Sequence, residues 1–248
     1  MIRAERVDFV AVPVSDLARA DDFYGETLGL ARNPHTSGDR WVEYETGNLT
    51  LGLSTFGGGI AFRAQDVGDA KRELQETGIE FPHDMFDSGV CHGASFEDPD
   101  GNRLLVHRRY APSESWEASA NSVERTDFIG VNVRDRRKAG EIYGRALGLR
   151  RNDLASHEWP EYEADNVGVV LSTPEQKGET EFTPYVSVAL RVRDVGESME
   201  ELRGRGVEFE FPEPYDSGVC RMAFFHDPDG NSLMLHRRYA PYPDGSQP

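Results

Sequence analysis

The chain repeats itself, and this internal repeat limits the possible folds more than any other feature of the sequence. Five segments of the first half return in the same order in the second half: 7–16 as 126–135, 41–45 as 159–163, 87–91 as 216–220, 98–102 as 227–231, and 107–112 as 236–241. The second copy has extra polar residues between 173 and 183, which predict a longer loop. We therefore predict a first module at 1–112, a linker at 113–124, a second module at 125–241 and a flexible tail at 242–248.

Each copy has the pattern of a mixed α+β unit. Val10, Val12 and Val14 alternate with other residues, which is the period of a strand. Asp16 and Asp66 precede helical apolar patterns and can cap those helices. The segments 41–45 and 49–53 predict a hairpin, and Asp-Pro-Asp-Gly-Asn predicts a tight turn before the last strand.

The composition limits which partners the protein can bind and in which cellular compartment it is expected. The net charge is −17 and the lysines are only Lys71, Lys138 and Lys177, so the surface should repel nucleic acid and anionic membranes. The sequence contains no apolar run long enough to span a bilayer and no signal-peptide pattern, and we expect a cytoplasmic protein. Cys91 and Cys220 are too few for a disulfide scaffold, and we interpret them as buried free thiols without a visible activator.

These features resemble the vicinal oxygen chelate (VOC) superfamily, which includes glyoxalase I, bleomycin-resistance proteins and extradiol dioxygenases. The resemblance covers nearly the whole chain and depends on three marks: Val-x-Asp in the first strand, Tyr-Gly-x-x-Leu-Gly-Leu at the helix end, and Asp-Pro-Asp-Gly-Asn. It implies two tandem VOC modules, each a pair of βαβββ units forming a curled, cup-like mixed sheet. It also implies that the modules pair within the chain, and a homodimer is possible.

The resemblance also implies where a divalent metal would be bound, and these positions lack suitable ligands. The family's ligand positions fall on six residues of this sequence: Phe9, Gly59, Leu105, Phe128, Ser187 and Met234. Phe, Gly and Leu have no side-chain donor, Met is soft and Ser is weak. A one-residue shift offers Asp8 and Asp127, but strand alternation predicts that these point away from the cup. We therefore expect no metal site of the family type and no cofactor.

Other side chains are predicted to line the cups. The expected ligand-binding residues are Phe9, Trp41, Leu105 and His107 in the first copy and Phe128, Trp159, Met234 and His236 in the second. His107 and His236 follow the family's last ligand position by two residues, roughly 7 Å along the strand. They are also the candidate catalytic residues, although each histidine can instead serve only packing, and either cup can be filled by side chains.

Three functions are compatible with this pattern. The first is a metal-independent binder of a small apolar or aromatic molecule, of the bleomycin-resistance kind. The second is a metal-dependent lyase, isomerase or dioxygenase with a displaced site near His107 or His236. The third is a structural module with filled cups. The sequence does not decide whether the protein is an enzyme.

The acidic composition predicts a halophilic source. Carboxylates repel one another in dilute buffer, and salt screens that repulsion. We expect the melting temperature to fall when the salt is lowered from molar to millimolar concentration. Circular dichroism at both salt concentrations measures this, and an unchanged melting temperature would contradict the prediction.

Overall fold

The structure, a computed structural model, describes residues 2–36, 38–112, 114, 116, 123–177 and 180–247. The first copy forms an eight-stranded sheet in the order β2-β3-β4-β1-β5-β8-β7-β6. Its strands are β1 (Val7–Pro13), β2 (Ala31–Arg32), β3 (Trp41–Glu45), β4 (Thr50–Ser54), β5 (Gly59–Arg63), β6 (Phe86–Asp87), β7 (Cys91–Glu97) and β8 (Arg103–Arg109). This sheet is mixed, since β5 is antiparallel to β1 and parallel to β8.

The second copy repeats the same strand order in a second eight-stranded sheet. Its strands are β9 (Arg125–Asn132), β10 (Arg150–Arg151), β11 (Glu161–Ala164), β12 (Val167–Ser172), β13 (Val186–Arg191), β14 (Tyr215–Asp216), β15 (Cys220–His226) and β16 (Ser232–Arg238). Two eight-stranded mixed sheets with few helices confirm the predicted α+β class and the two tandem VOC-type modules.

Two helices of the first copy begin directly after Asp16 and Asp66, as the sequence predicts. The helices are α1 (Leu17–Asp22), α2 (Val67–Glu76), α3 (Arg136–Gly140), α4 (Pro174–Lys177) and α5 (Val195–Gly204); α1 and α3 continue as π-helical turns at Phe23–Thr27 and Glu141–Ala146. Asp16, Asp66 and Asp194 each accept hydrogen bonds from backbone N–H groups in the first turn of the following helix. Such a cap stabilises a helix by about 1 kcal/mol. The predicted loop at 173–183 contains the short helix α4, which the sequence analysis did not predict.

Strand alternation separates two faces of each sheet. In β8, Leu104 and Val106 are fully buried on the face that carries α2, which packs on β7 and β8. Leu105 and His107 point to the other face. The helix side is therefore the apolar core, and the opposite side carries the polar side chains of interest.

The chain forms two compact units whose boundaries differ from those of the two copies. Unit 1 contains residues 1–11, 58–115 and 130–186, and unit 2 contains 12–57, 116–129 and 187–248. Each unit therefore takes segments from both copies. The boundaries at 112, 124 and 241 remain a prediction, and most of the expected linker lies outside the described residues.

A buried tyrosine connects the two copies inside each unit. In unit 1, the Tyr143 hydroxyl donates to Asp98 Oδ2 at 3.2 Å, and in unit 2 the Tyr24 hydroxyl donates to Asp227 Oδ2 at 3.1 Å. Asp98 also accepts hydrogen bonds within the Asp-Pro-Asp-Gly-Asn turn from Asp100 N and from Asn102 N and Nδ2. The repeated turn therefore positions a carboxylate for a helix of the other copy. Within the described part of the chain, no helix is long and apolar enough to span a membrane.

We expect that Tyr143→Phe destabilises the fold by about 1 kcal/mol, because it removes one hydrogen bond from a buried carboxylate that keeps other donors. Urea unfolding measures the change. Tyr110→Phe is the matched control, since its hydroxyl donates to Asp87 on the surface at 2.7 Å. An equal loss of stability in both variants would show that burial does not determine how much this hydrogen bond contributes to the free energy of unfolding.

Candidate functional site

His107 lies near the end of β8 with its side chain almost fully buried. Its neighbours in register are Arg63 on β5 and Gly93 on β7. The imidazole Nδ1 is 2.6 Å from Asp8 Oδ2, a short hydrogen bond between two side chains that are each 7% exposed. The first strand and the last strand of the copy therefore meet at this pair.

Asp8 reaches His107 because β1 is irregular at this point. The pairing of β1 with β5 shifts register between Val7 and Phe9, as in a β-bulge. Asp8 contacts His107 and the Phe9 ring also lies 5.1 Å from the His107 ring, so both side chains lie on the same face. The expectation that Asp8 points away from this face is wrong, because the bulge breaks strict alternation.

An arginine holds the second oxygen of the carboxylate. Arg63 contacts Asp8 Oδ1 through Nε at 2.7 Å and Nη2 at 2.6 Å. Both oxygens of Asp8 are therefore bound by cationic side chains, one from β5 and one from β8. A carboxylate held in this way has little freedom to rotate and fixes the orientation of the imidazole.

The second copy has the same arrangement within unit 2. His236 Nδ1 is 2.5 Å from Asp127 Oδ2, and Arg191 Nε is 2.6 Å from Asp127 Oδ1. The ring of Phe128 meets the ring of His236 edge-on at 5.2 Å. Two independent copies of one arrangement indicate that the repeat preserves it as a group.

Charge on the imidazoles follows from these contacts. Burial is the largest single effect and lowers the pKa of His107 and His236, but the hydrogen bonds and charges of the neighbouring aspartate and cysteine together outweigh it and raise both pKa values to about 9. Burial raises the pKa of Asp8, but its bonds to His107 and Arg63 have the larger combined effect and lower it. The first pair is therefore an imidazolium and a carboxylate at neutral pH.

The thiol of Cys91 completes the group in unit 1. In the pairing of β7 with β8, Cys91 is opposite Arg109 and His107 is opposite Gly93, so the thiol is a diagonal neighbour of the imidazole, and Ser88 Oγ lies 3.0 Å from the Cys91 Sγ. Burial raises the pKa of the thiol, but the interactions with His107 and Ser88 and the charge of Arg109 together outweigh burial and lower it. In unit 2, Cys220 is the corresponding neighbour of His236. Both cysteines are half-buried and free.

The sequence analysis found the histidines and missed their partners. Asp8, Arg63 and Cys91, together with Asp127, Arg191 and Cys220, were not predicted as site residues. The available signal was the repeat itself, since the aspartate and the cysteine recur at matching places. Cys91 was interpreted as a thiol without an activator, and the structure places His107 beside it.

The other predicted binding residues are only partly brought together. Leu105 and Met234 lie on the same faces as His107 and His236 and are nearly buried. A Cβ at Gly59 would lie 3.1 Å from Leu105 Cδ1, so this glycine keeps β5 close to β8.

The two predicted tryptophans differ between the copies. Trp41 lies flat against Gly52 of β4, where a Cβ would be 2.2 Å from its ring, and donates from Nε1 to Glu43 at 2.9 Å. Trp159 precedes β11 and is 39% exposed. The packing of Trp41 in the first copy is therefore not repeated by Trp159 in the second.

The donors of this group do not converge on one point, as metal ligands must. Asp8 is bound on both oxygens, and His107 has Asp8 on one side and Cys91 as a second partner. Across the residues that the structure describes, no group of three or more His, Cys, Asp or Glu side chains could hold a metal ion. A divalent metal therefore does not fit the donor set present here.

A cavity of about 310 Å³ lies elsewhere in unit 2, on the helix side of the second sheet. Its lining includes Leu190, Leu202 and Leu235, with Glu201 and Arg205 at its polar part. Leu235 alternates with His236 along β16, so this cavity is on the opposite face from the imidazole. It does not belong to the histidine site.

Comparison with known proteins identifies the family to which the sequence and the fold are similar. The family model described as "Glyoxalase/Bleomycin resistance protein/Dioxygenase superfamily" matches residues 6–106 and 125–235. No curated protein sequence matches the chain significantly.

Among solved structures, the chain is similar to a Mn(II)-bound glyoxalase from Novosphingobium aromaticivorans, with a TM-score of 0.69, 14% identity, and 95% of this chain and 83% of that chain covered. It is also similar to the 2,3-dioxygenase LapB from Pseudomonas sp. KL28, with a TM-score of 0.67, 14% identity, and 100% and 97% covered. Homoprotocatechuate 2,3-dioxygenase from Arthrobacter globiformis gives a TM-score of 0.69, 17% identity, and 98% and 84% covered. Identities this low show a shared fold.

The pKa of His236 predicts a pH-dependent stability. The folded value is about 9, whereas an unfolded histidine has a value of about 6.5. Because the folded value is higher, the pairing with Asp127 contributes fully below about pH 6.5 and is lost as the pH rises through about 9. We expect Asp127→Asn to cost about 3 kcal/mol near pH 6, and the cost to shrink near pH 9.5.

Urea unfolding of the wild type and of Asp127→Asn across this pH range measures the difference between their free energies of unfolding. Asp69→Asn is the control, because Asp69 pairs with Arg72 on the surface, where both side chains are about two-thirds exposed. Its cost should be small and should not change with pH. If the loss of unfolding free energy in Asp127→Asn does not change with pH, His236 is not held as an imidazolium.

Proposed function

Because the chain belongs to the glyoxalase/bleomycin resistance protein/dioxygenase superfamily, we propose that it is a metal-independent binder of a small molecule with an apolar or aromatic body. The proposed sites are the faces of the two sheets that carry His107 and His236. The observation that carries the proposal is that the polar groups of each site bind one another, and none is arranged around a cation.

The family's metal positions support a site without metal. In the first copy they carry Phe9, Gly59 and Leu105, and none of these has a donor for a divalent ion. The nearest carboxylate, Asp8, has both oxygens bound by His107 and Arg63. A metal at this place would have to compete with two cations for one carboxylate, and both cations would be left in partly buried surroundings. Burying unpaired charge costs several kcal/mol, which favours the site without metal.

The chemistry of the face supports the class of ligand. Phe9 presents a partly exposed ring beside His107, and Leu105 adds an aliphatic surface. Arg63 has 37% of its side chain exposed while it holds Asp8, so it can also meet a polar group of a ligand. A planar body against the phenyl ring and a polar or anionic group toward the guanidinium would match this surface.

The runner-up function is a metal-dependent lyase, isomerase or dioxygenase with a displaced site near His107 or His236. One structural relative is described as a Mn(II)-bound glyoxalase, which keeps this candidate open. It requires one ring nitrogen of the histidine to leave Asp8 or Cys91 and to face a cation.

Metal analysis combined with a binding probe separates the two functions. We expect protein expressed with added Mn, Fe, Zn and Ni to retain well under one metal per chain after dialysis. An aromatic anion, 1-anilinonaphthalene-8-sulfonate, should still bind after treatment with a chelator. One tightly held metal per copy, or probe binding that disappears with the chelator, would overturn the proposal.

A variant pair locates the binding face. We expect Phe9→Ala with Phe128→Ala to weaken probe binding roughly tenfold, because an aromatic contact contributes about 1 kcal/mol or more. Phe56→Ala is the matched control, since Phe56 is an exposed phenylalanine that stacks on Arg40. Equal weakening by both changes would place the probe elsewhere. The cytoplasmic location, the pairing of two chains and the salt-rich source stay predictions.

A further inference from the structure

The two cysteines of the chain stand at matching positions, Cys91 at the first residue of β7 and Cys220 at the first residue of β15. Three of the repeated segments meet there. The first-strand segment brings the aspartate, Asp-Ser-Gly-Val-Cys brings the cysteine, and His-Arg-Arg-Tyr-Ala-Pro brings the histidine. Segments that are far apart in sequence are repeated together because they form one group in space.

We propose that Cys91 is a nucleophile, with His107 as its imidazolium partner and proton donor and Asp8 as the positioning residue, and that it adds to apolar α,β-unsaturated carbonyl compounds. The proposal deepens the binding function and rests on the same face of the first sheet. The ligand would then be held covalently.

The geometry has the order that an activated thiol needs. Asp8 occupies Nδ1 of the imidazole at 2.6 Å, which leaves Nε2 for the thiol. On the paired strands, Cys91 is opposite Arg109 and His107 is opposite Gly93, so the two side chains are diagonal neighbours on one face. Arg63 holds the far oxygen of Asp8, so the carboxylate cannot turn away. The nucleophile, its imidazolium partner and the orienting carboxylate thus follow one another in the order of a catalytic triad.

The charges favour the reactive form of the sulfur. His107 is an imidazolium at neutral pH, and its hydrogen bond lowers the pKa of the Cys91 thiol even though burial raises it. A thiolate beside an imidazolium is a stronger nucleophile at neutral pH than a free cysteine, which is only a few per cent ionised there. The half-buried sulfur is still accessible to a small molecule.

The surroundings indicate an apolar electrophile. The Phe86 ring lies over Gly93, directly across the strand pair from His107, where a Cβ would be 2.4 Å from the ring. Phe86, Val90 and Tyr110 are each at least 40% exposed. These exposed apolar side chains lie on Cys91's own segment or on segments that pair with it, and they offer a surface that can bind an apolar body before the reaction.

The addition balances without any further reactant. In the Cys91–His107 ion pair the proton of the thiol already resides on the imidazolium, and the thiolate sulfur attacks the β-carbon. A carbon–sulfur bond forms while the π pair of the carbon–carbon double bond moves onto the α-carbon and carbonyl. His107 then returns the proton to the α-carbon, so the net change is addition of S–H across the double bond. Neither an oxidant nor a leaving group is required.

The second copy supplies an internal comparison. Cys220, His236 and Asp127 repeat the same order, but Met222 stands opposite His236 where the first copy has Gly93. A side chain at this position replaces the open backbone on which the Phe86 ring lies. We therefore assign the fast reaction to Cys91 and expect Cys220 to react more slowly.

The test uses the full chain with 4-phenyl-3-buten-2-one at neutral pH, followed by intact-mass and peptide mass spectrometry. We expect one adduct, on Cys91, to form about tenfold faster than the adduct of free cysteine under the same conditions. His107→Gln and Asp8→Asn should remove this advantage, and Asp69→Asn should keep it. A Cys91 rate no higher than that of free cysteine would overturn the proposal, as would an unchanged rate in His107→Gln.

Wild-type protein gives a second measurement in case the variants do not fold. The alkylation rate with iodoacetamide should follow a thiolate that titrates below the free-cysteine value of about 8.5. A midpoint at or above that value would contradict the triad. Probe binding in Cys91→Ser separates the two proposals: retained binding with no adduct leaves the binder intact, whereas lost probe binding in wild type removes the proposed function itself.

Discussion

The short hydrogen bond between Asp8 and His107, repeated between Asp127 and His236, is the interaction on which the candidate sites depend. It joins the first and last strands of each copy across the strand that lies between them. A buried carboxylate or imidazolium alone would cost several kcal/mol, so each group requires the other. Arg63 and Arg191 bind the remaining oxygens, and the side chains that face these pairs are therefore fixed in position before any ligand arrives.

This arrangement differs from a metal centre in its geometry. Metal ligands point their lone pairs at a common point, whereas Asp8, His107 and Cys91 follow one another, each beside the next. The fold is that of a superfamily whose structural relatives include glyoxalase and dioxygenases. The same sheet can therefore hold two kinds of chemistry, because the strands fix where side chains point and the residue types decide what they do.

The two copies are similar in their backbone and differ in detail. Both keep the aspartate, histidine, arginine and cysteine at corresponding places. Gly93 in the first copy corresponds to Met222 in the second, and Trp41 lies packed in its strand whereas Trp159 precedes one. Such differences leave the backbone of the sheets unchanged but alter the shape and the accessibility of the two candidate sites. The two sites therefore need not bind the same molecule.

The sequence by itself determined the repeat, the α+β class and the caps at Asp16 and Asp66, and it singled out His107 and His236 as candidates. These follow from local patterns: period, turn residues and self-similarity. Only the tertiary structure decided which side chains meet. Asp8 was placed on the wrong face because a register shift between Val7 and Phe9, in the pairing of β1 with β5, breaks the two-residue period. The pairing of β7 with β8 brings Cys91 and His107 onto one face, and such contacts depend on the register between strands, which no local pattern contains.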